Sequence, residues 1–220
     1  MNSLFYGRNY IAHLKRLTDI IMACILLLVF SPICFFVAIA IKLDSEGPVL
    51  ADVPERVGEN GTLFKMFKFR SMIKNAHVLL HTDSRFKALF ERYQKDSYKL
   101  KDDPRVTFVG KWIRKHSIDE IPQLLNVLRG EMSMVGPRAY YPDELENQQK
   151  KHPDTKKFVA EVLSVKPGIT GLWQVSGRSE VHFDKRIALD AEYIKSISLQ
   201  EDVKIIFKTP LIMITGRGAV

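Results

Sequence analysis

A run of 22 uncharged residues, 20–41, constrains the fold of this chain more than any other feature of its sequence. Asp19 and Lys42 bound the run. As one straight helix it would be about 33 Å long, which is enough to cross a hydrocarbon core of roughly 30 Å. The default prediction is therefore a helix that spans a membrane once.

The pair Ser31-Pro32 lies in the middle of this run and favours a different path. Proline removes one helical hydrogen bond, and its ring clashes with the preceding turn. The pieces on either side, 20–31 and 32–41, would be about 18 and 15 Å long, so neither spans alone. Both fit a helix that dips into one leaflet and returns, with the Ser31 hydroxyl satisfying a carbonyl freed at the bend. The pattern leaves the re-entrant and the spanning helix open.

Charge on the flanks gives no clear orientation for a spanning helix, because basic residues lie on both sides of the run. They are Arg8, Lys15 and Arg16 before it, and Lys42 and Arg56 after it. A re-entrant segment with both ends in the cytoplasm removes this ambiguity. A cleaved signal peptide is not expected, because the run is too long and no small-residue cleavage site follows it.

The rest of the chain predicts one further domain. Its 220 residues are 46% hydrophobic, which argues against disorder, and the formal net charge of +8 favours an anionic partner without choosing among nucleic acid, nucleotide and lipid headgroup. Both cysteines, Cys24 and Cys34, lie in the apolar run, which excludes a disulfide framework and a cysteine-based zinc site. We predict a mostly helical α+β fold, with a membrane-associated segment over residues 1–42 and one compact domain over 43–220. That domain is expected to carry a small sheet and amphipathic helices at the membrane surface.

Two adjacent carboxylates, Asp119 and Glu120, give the strongest local signal for chemistry. They stand at a predicted helix start, directly after a basic stretch made of Lys111, Arg114, Lys115 and His116. One interpretation is helix capping, either by Ser117 with Glu120 or by Asp119 itself, which would place Pro122 in the first turn. The other is catalytic: one carboxylate attacks an electrophile while its neighbour holds a divalent cation. The two interpretations are compatible.

Two other segments could supply cations to a phosphate. Arg138 follows Pro137 in a rigid Gly-Pro turn, and its guanidinium fork matches phosphate oxygens, although a plain surface turn has the same pattern. Lys68 and Arg70 lie in a segment that alternates basic and apolar residues at strand period. That segment could serve a diphosphate or form an edge strand guarded by lysine.

A glycine-rich stretch, 166–178, carries Gln174 and Arg178. Its three glycines permit close approach of the backbone to a ligand. It matches neither the P-loop nor the dinucleotide-binding fingerprint. No recognised nucleic-acid-binding module is present, so nucleic acid is not expected as a partner.

Taken in order, these motifs resemble the bacterial sugar transferase family, the monotopic phosphoglycosyl transferases. The matching segments are residues 15–19, Ser31-Pro32, Gly47-Pro48-Val49, Arg56-Val57-Gly58, residues 68–72, 117–123 and 126–133, Val135-Gly136-Pro137-Arg138, and residues 166–178. Two departures stand out: Ala139 replaces the usual second proline, and residues 50–55 are more acidic than usual. The resemblance favours the re-entrant helix and a place on the cytoplasmic face of the bacterial inner membrane.

The resemblance implies an enzyme that moves a sugar 1-phosphate from a UDP-sugar to polyprenyl phosphate and releases UMP. Asp119 matches the nucleophile that carries a covalent phosphosugar, and Glu120 matches the partner expected to bind Mg²⁺. Substrate contacts are then expected from Lys68, Arg70, Pro137, Arg138, Gln174 and Arg178. Membrane lipids are further partners, and self-association is neither required nor excluded.

The insert 75–103 and the stretch 171–178 look more like the hexose 1-phosphate members of the family. They point to UDP-galactose or UDP-glucose as the donor, for exopolysaccharide or O-antigen initiation. The alternative function is a non-catalytic module that binds the membrane surface through its net charge and amphipathic ends.

Overall fold

A computed structural model describes residues 4–95, 100, 103–177 and 181–215. Helix α1, Gly7–Asp44, is the longest element; it includes a π-helical stretch at Tyr10–Lys15 and is α-helical over Arg16–Asp44. By length and composition α1 could cross a membrane, and only 11% of its most apolar window is buried. The predicted long apolar helix is confirmed.

Helix α1 continues through Pro32 without interruption, so the sequence-based expectation of two separate pieces is wrong for the backbone. Pro32 cannot donate to the carbonyl four residues earlier, which belongs to Leu28. The Ser31 hydroxyl donates to that carbonyl at 2.8 Å, as the sequence predicted, and this bond offsets the loss. The return of the helix to the same membrane face stays a prediction.

Nine shorter helices follow α1 in the described residues. They are α2 Ala76–Thr82, α3 Lys87–Lys95, α4 Phe108–Lys115, α5 Leu124–Arg129, α6 Pro142–Lys151, α7 Lys156–Val162, α8 Leu172–Val175, α9 Phe183–Ser196 and α10 Leu199–Thr215. Short 3₁₀ turns lie at Glu59–Gly61, Ser84–Phe86, Ile118–Gln123 and Pro153–Thr155.

Four short strands form two two-stranded sheets. Strands β1, Arg56–Val57, and β2, Leu63–Phe64, are antiparallel, with Arg56 opposite Phe64. Strands β3, Ser133–Val135, and β4, Gly168–Thr170, are parallel, with Ser133 opposite Gly168. The mostly helical α+β prediction is confirmed. The segment that carries Lys68 and Arg70, which has strand period in the sequence, follows β2 and lies outside both sheets.

Buried polar contacts fasten the start of α1 to the domain. Lys15 Nζ lies 2.5 Å from Asp202 Oδ2 in α10. The hydroxyls of Tyr10 and Tyr193 donate to the same carboxylate at 2.8 and 2.6 Å. Asp19 accepts a hydrogen bond from a backbone N–H of β3 at 3.0 Å. The apolar core formed by α1, α5, β3, α9 and α10 surrounds these contacts.

Helices α4 and α10 are amphipathic and leave large apolar side chains exposed. Phe108 is 85% exposed and Trp112 54% exposed on α4, while Phe207 is 75% exposed on α10. Lys111 and Lys208 are exposed on the same helices. Apolar side chains flanked by lysine are typical of helices that lie at a membrane surface.

Candidate active site

One cleft of about 430 Å³ brings most of the predicted site residues together. Its walls come from residues 66–77, the 3₁₀ turn Ile118–Gln123, the segment after β3 and the β4–α8 region. The predicted residues that line it are Lys68, Arg70, Asp119, Glu120, Arg138 and Gln174.

The turn that carries the two carboxylates is held against the basic segment by its backbone. The N–H of Phe69 donates to the carbonyl of Asp119 at 2.9 Å, which places Lys68 beside both acidic side chains. The predicted capping box is wrong, because Ser117 has a left-handed backbone with φ of 55° and its side chain does not cap the turn. The α-helix begins later, at Leu124, since Pro122 and its neighbours form a 3₁₀ turn instead.

Lys68 and Glu120 form an ion pair at the floor of the cleft. Lys68 Nζ lies 2.7 Å from Glu120 Oε1, and the two side chains are 20% and 30% exposed. A pair that is this close and partly buried is screened less by solvent than a surface pair. The ion pair therefore holds the Lys68 ammonium close enough to stabilise the Asp119 carboxylate.

The Asp119 carboxyl is tuned to titrate just below neutral pH. Burial raises its pKa, Lys68 lowers it and the Glu120 carboxylate raises it, with a result of about 6. Asp119 is therefore mainly ionised at pH 7, which is the form that a nucleophile needs. Because this pKa is close to 7, a change in the charge of a neighbouring residue also changes the ionised fraction of Asp119 at neutral pH.

Arg138 forms the opposite wall of the cleft and is held at several points. Its backbone N–H donates to Asp190 Oδ2 at 3.1 Å, and its guanidinium carbon lies 5.2 Å from the Trp173 ring centroid. Its Nε lies 4.0 Å from Glu144 Oε1. Burial alone would lower the pKa of Arg138, but Glu144 and other nearby groups raise it overall. Arg138 is a fixed, permanent cation at the cleft.

Pro137 and Gln174 both make hydrogen bonds to the backbone of β4, beside the cleft. The Pro137 carbonyl accepts from the Gly168 N–H at 2.8 Å, and Gln174 Nε2 donates to the Ile169 carbonyl at 3.0 Å. A Cβ on Gly168 would lie 2.0 Å from the Gly136 nitrogen, so only glycine fits there. The substrate contacts predicted for Pro137 and Gln174 stay predictions.

Arg70 is engaged in a structural role in this fold. Its guanidinium makes five hydrogen bonds, to the carbonyls of Ile41, Ser45, Glu46 and Pro48 and to the Ser45 hydroxyl. These bonds tie the end of α1 to the domain. The predicted contact of Arg70 with phosphate stays a prediction, and Arg178 lies outside the described residues.

Three buried charged residues behind Arg138 escaped the sequence analysis. Glu144 and Asp190 are 0% exposed and Arg186 is 1% exposed. A signal existed for Asp190, since it follows Phe183 and Ile187 at helical spacing and so shares their buried face. Charged residues in a helix otherwise indicate a solvated face.

Within the described part of the chain, no three His, Cys, Asp or Glu side chains converge as a complete metal site. Mg²⁺ does not require one, because it is usually bound by one or two carboxylates together with substrate phosphates and water. The Glu120 carboxylate supplies hard oxygen donors in the cleft. This donor set fits Mg²⁺ as a cation shared with a diphosphate.

Comparison with known proteins gives a consistent family. The sequence profile described as bacterial sugar transferase matches residues 10–216. The undecaprenyl-phosphate galactose phosphotransferase of Salmonella typhimurium is 42% identical over 210 residues, which is 94% of this chain and 41% of that protein. The undecaprenyl-phosphate glucose phosphotransferase of Komagataeibacter xylinus is 43% identical over 210 residues, 93% of this chain and 36% of that protein.

A shorter relative is covered almost completely. The exopolysaccharide production protein ExoY of Sinorhizobium fredii is 41% identical over 206 residues, 93% of this chain and 87% of that protein. The chain thus spans about two fifths or less of the two phosphotransferases and most of ExoY. With the profile matched from residue 10 to residue 216, the chain belongs to the bacterial sugar transferase family.

Proposed function

We propose that the protein transfers a sugar 1-phosphate from a UDP-sugar to undecaprenyl phosphate, or another polyprenyl phosphate, and releases UMP. The names of the galactose and glucose phosphotransferases support this acceptor and favour UDP-galactose or UDP-glucose as donor. The observation that carries the proposal is the Lys68–Glu120 ion pair beside Asp119, in a cleft whose other wall is Arg138. Asp119 is thus an acidic side chain with Lys68 beside it and Arg138 in the same cleft.

In the first step the Asp119 carboxylate attacks the phosphorus that carries the sugar. An O–P bond forms to Asp119, and the bond between this phosphorus and the bridging oxygen of the diphosphate breaks. UMP leaves with that electron pair, and the sugar phosphate stays on Asp119 as an acyl phosphate. No proton transfer is needed, because Asp119 attacks in its ionised form.

The main obstacle to this step is repulsion between a carboxylate and an anionic diphosphate. Lys68 and Arg138 lie in the cleft to offset it. Mg²⁺ held by Glu120 and the donor phosphates would neutralise further charge on the diphosphate. Loss of one well-placed electrostatic group of this kind costs about 10²–10³ in rate.

In the second step an oxygen of the lipid phosphate attacks the same phosphorus, and the bond to Asp119 breaks with its electron pair returning to the carboxylate. The acceptor is confined to the membrane, so the cleft must open near it. The exposed apolar surface of α1, with Phe108 on α4 and Phe207 on α10, supports contact with a membrane. The monotopic placement on the cytoplasmic face of the inner membrane is part of the proposal.

The test is UMP release by the purified protein with UDP-galactose or UDP-glucose and undecaprenyl phosphate. We expect turnover with at least one donor, no turnover by Asp119→Asn, and unchanged turnover by the matched surface variant Asp154→Asn, whose residue is exposed outside the cleft. Chelation should stop the reaction, and Mg²⁺ should restore it. Vesicle binding without UMP release from any UDP-sugar would instead support the membrane-surface module.

A further inference from the structure

Four charged side chains lie together at Arg138, which lines the cleft. Arg138 and Arg186 both face the ring of Trp173, each with its guanidinium carbon 5.2 Å from the ring centroid. Glu144 lies between them, with its Oε1 3.4 Å from Arg186 Nη1 and 4.0 Å from Arg138 Nε. Asp190 completes the group. The two guanidinium charges balance the two carboxylate charges when all four are ionised.

Asp190 uses only one of its two carboxylate oxygens. Its Oδ2 accepts from the Arg138 backbone N–H at 3.1 Å and from the Tyr140 hydroxyl at 2.9 Å. Its Oδ1 is buried without a hydrogen-bond partner. A buried charged oxygen with no donor is costly. A proton on Oδ1 removes the buried charge, which is the larger part of that cost, and leaves both accepted bonds in place.

The position of Asp190 couples its charge to the site. It holds the backbone of Arg138, which lines the cleft, yet it is itself 0% exposed and does not line the cleft. Loss of its charge would leave the cluster with one net positive charge, next to the wall where a diphosphate is expected. Interactions between charges in such a poorly solvated region are stronger than in bulk water.

We propose that Asp190 is a positioning residue that sets both the place of Arg138 and the charge behind it. In its neutral form Asp190 keeps Arg138 in place and makes this end of the cleft more attractive to the donor diphosphate. The inference rests on the proposed transfer reaction. It adds a buried carboxyl group, separate from the nucleophile and its neighbours, whose ionisation changes the affinity for the donor.

The direction of the pH effect follows from the surroundings of Asp190. The charged and titratable groups that face Asp190 are Arg138 and Tyr140, from the segment after β3, and Arg186, from its own helix. Glu144, from α6, acts on Asp190 indirectly, through its contacts with the two arginines. Burial raises the pKa of Asp190 to about 7, although hydrogen bonds from the Arg138 N–H and Tyr140 and the two guanidinium groups lower it. Donor binding should therefore weaken as the pH rises from 6 to 8.

The experiment measures the dissociation constant of UDP-galactose and of UDP-glucose, with Mg²⁺, by calorimetry between pH 6 and 8. The protein is Asp119→Asn, which prevents turnover and removes the titration of the nucleophile. We expect the dissociation constant to rise about fivefold from pH 6 to pH 8, as a change of one charge at moderate screening allows. In Asp119→Asn with Asp190→Asn, it should stay at the low value throughout.

Two further variants keep the test valid if Asp190→Asn fails to fold. Glu144→Gln also adds one positive charge, so it should tighten binding at pH 8 while keeping the pH dependence. Tyr140→Phe removes a hydrogen bond without changing the charge and should also keep that dependence. A pH dependence that survives in Asp190→Asn, or no tightening at pH 8 in Glu144→Gln, overturns the inference but not the transfer reaction. If neither UDP-sugar binds at any pH, both are overturned.

Discussion

Replacing Lys68 by methionine removes the cation that faces both carboxylates and keeps most of the apolar stem. Lys68 is the leading group that lowers the pKa of Asp119, against burial and the Glu120 carboxylate. A cation within 4–6 Å lowers a carboxyl pKa by about one to three units, and the 20% exposure of the Lys68 side chain favours the lower end. The acid limb of kcat/KM for the donor should therefore move up by about one pH unit from its position near 6.

The direction of this pKa shift determines the pH at which activity appears. An Asp119 with a higher pKa holds its proton to higher pH, so activity that appears above pH 6 in the wild-type protein should appear only closer to pH 7. The maximal rate should also fall by about 10²-fold or more, because a cation that stabilises the transferring phosphate is lost. The measurement is UMP release across pH 5 to 8.

Two controls separate this effect from general damage to the fold. Lys68→Arg keeps the charge and should keep the acid limb near its original position. Lys65→Met removes a lysine from the same segment whose side chain is 68% exposed and pairs only loosely with Asp52 at 3.8 Å, so it should leave the limb unmoved. An acid limb that stays in place or moves down in Lys68→Met would refute the electrostatic account of Asp119.

Other variants test the fold and the membrane segment. Asp202→Asn leaves the buried Lys15 ammonium without its counter-ion and should lower the free energy of unfolding by about 3 kcal/mol, measured by chemical denaturation in detergent; unchanged stability would argue against this anchor. Gly168→Ala should disrupt β3–β4 pairing and strongly reduce the thermal midpoint, since its Cβ would lie 2.0 Å from the Gly136 nitrogen. Pro32→Ala restores the helical hydrogen bond that Pro32 cannot donate and should therefore favour a spanning helix, which exposes the N terminus to an impermeant label outside intact cells. The wild-type terminus should stay protected, and labelling of the wild type would establish a spanning helix.

Elements with strong local signals could be predicted from the sequence. The apolar run predicts α1, and Gly130 ends α5 with φ of 83°, as a C-terminal glycine predicts. The sequence predicts a helix start at Asp119 and Glu120, but residues 118–123 form a 3₁₀ turn that a hydrogen bond ties to Phe69. That tertiary contact leaves no periodic pattern in the sequence.

Some residues of the candidate site could likewise be predicted from the sequence, and others could not. Asp119, Glu120, Lys68 and Arg138 stand in short motifs whose residue types indicate their chemistry, and one cleft brings them together. Arg70 could not be separated from them, because its partners are the backbone carbonyls of a distant turn. The buried cluster of Glu144, Arg186 and Asp190 forms only when α6 and α9 pack together. The sequence alone does not distinguish a buried charged residue in a helix from an exposed one.

In the proposed mechanism, Asp119 becomes covalently attached to the sugar phosphate before the lipid takes part. The most direct measurement is the intact mass of the protein after incubation with UDP-galactose or UDP-glucose and Mg²⁺ in the absence of any polyprenyl phosphate. We expect release of UMP, a gain of one hexose phosphate per chain and an adduct on the peptide that contains Asp119, with none in Asp119→Asn. UMP release that requires the lipid phosphate, with no adduct at any time, would contradict the covalent account.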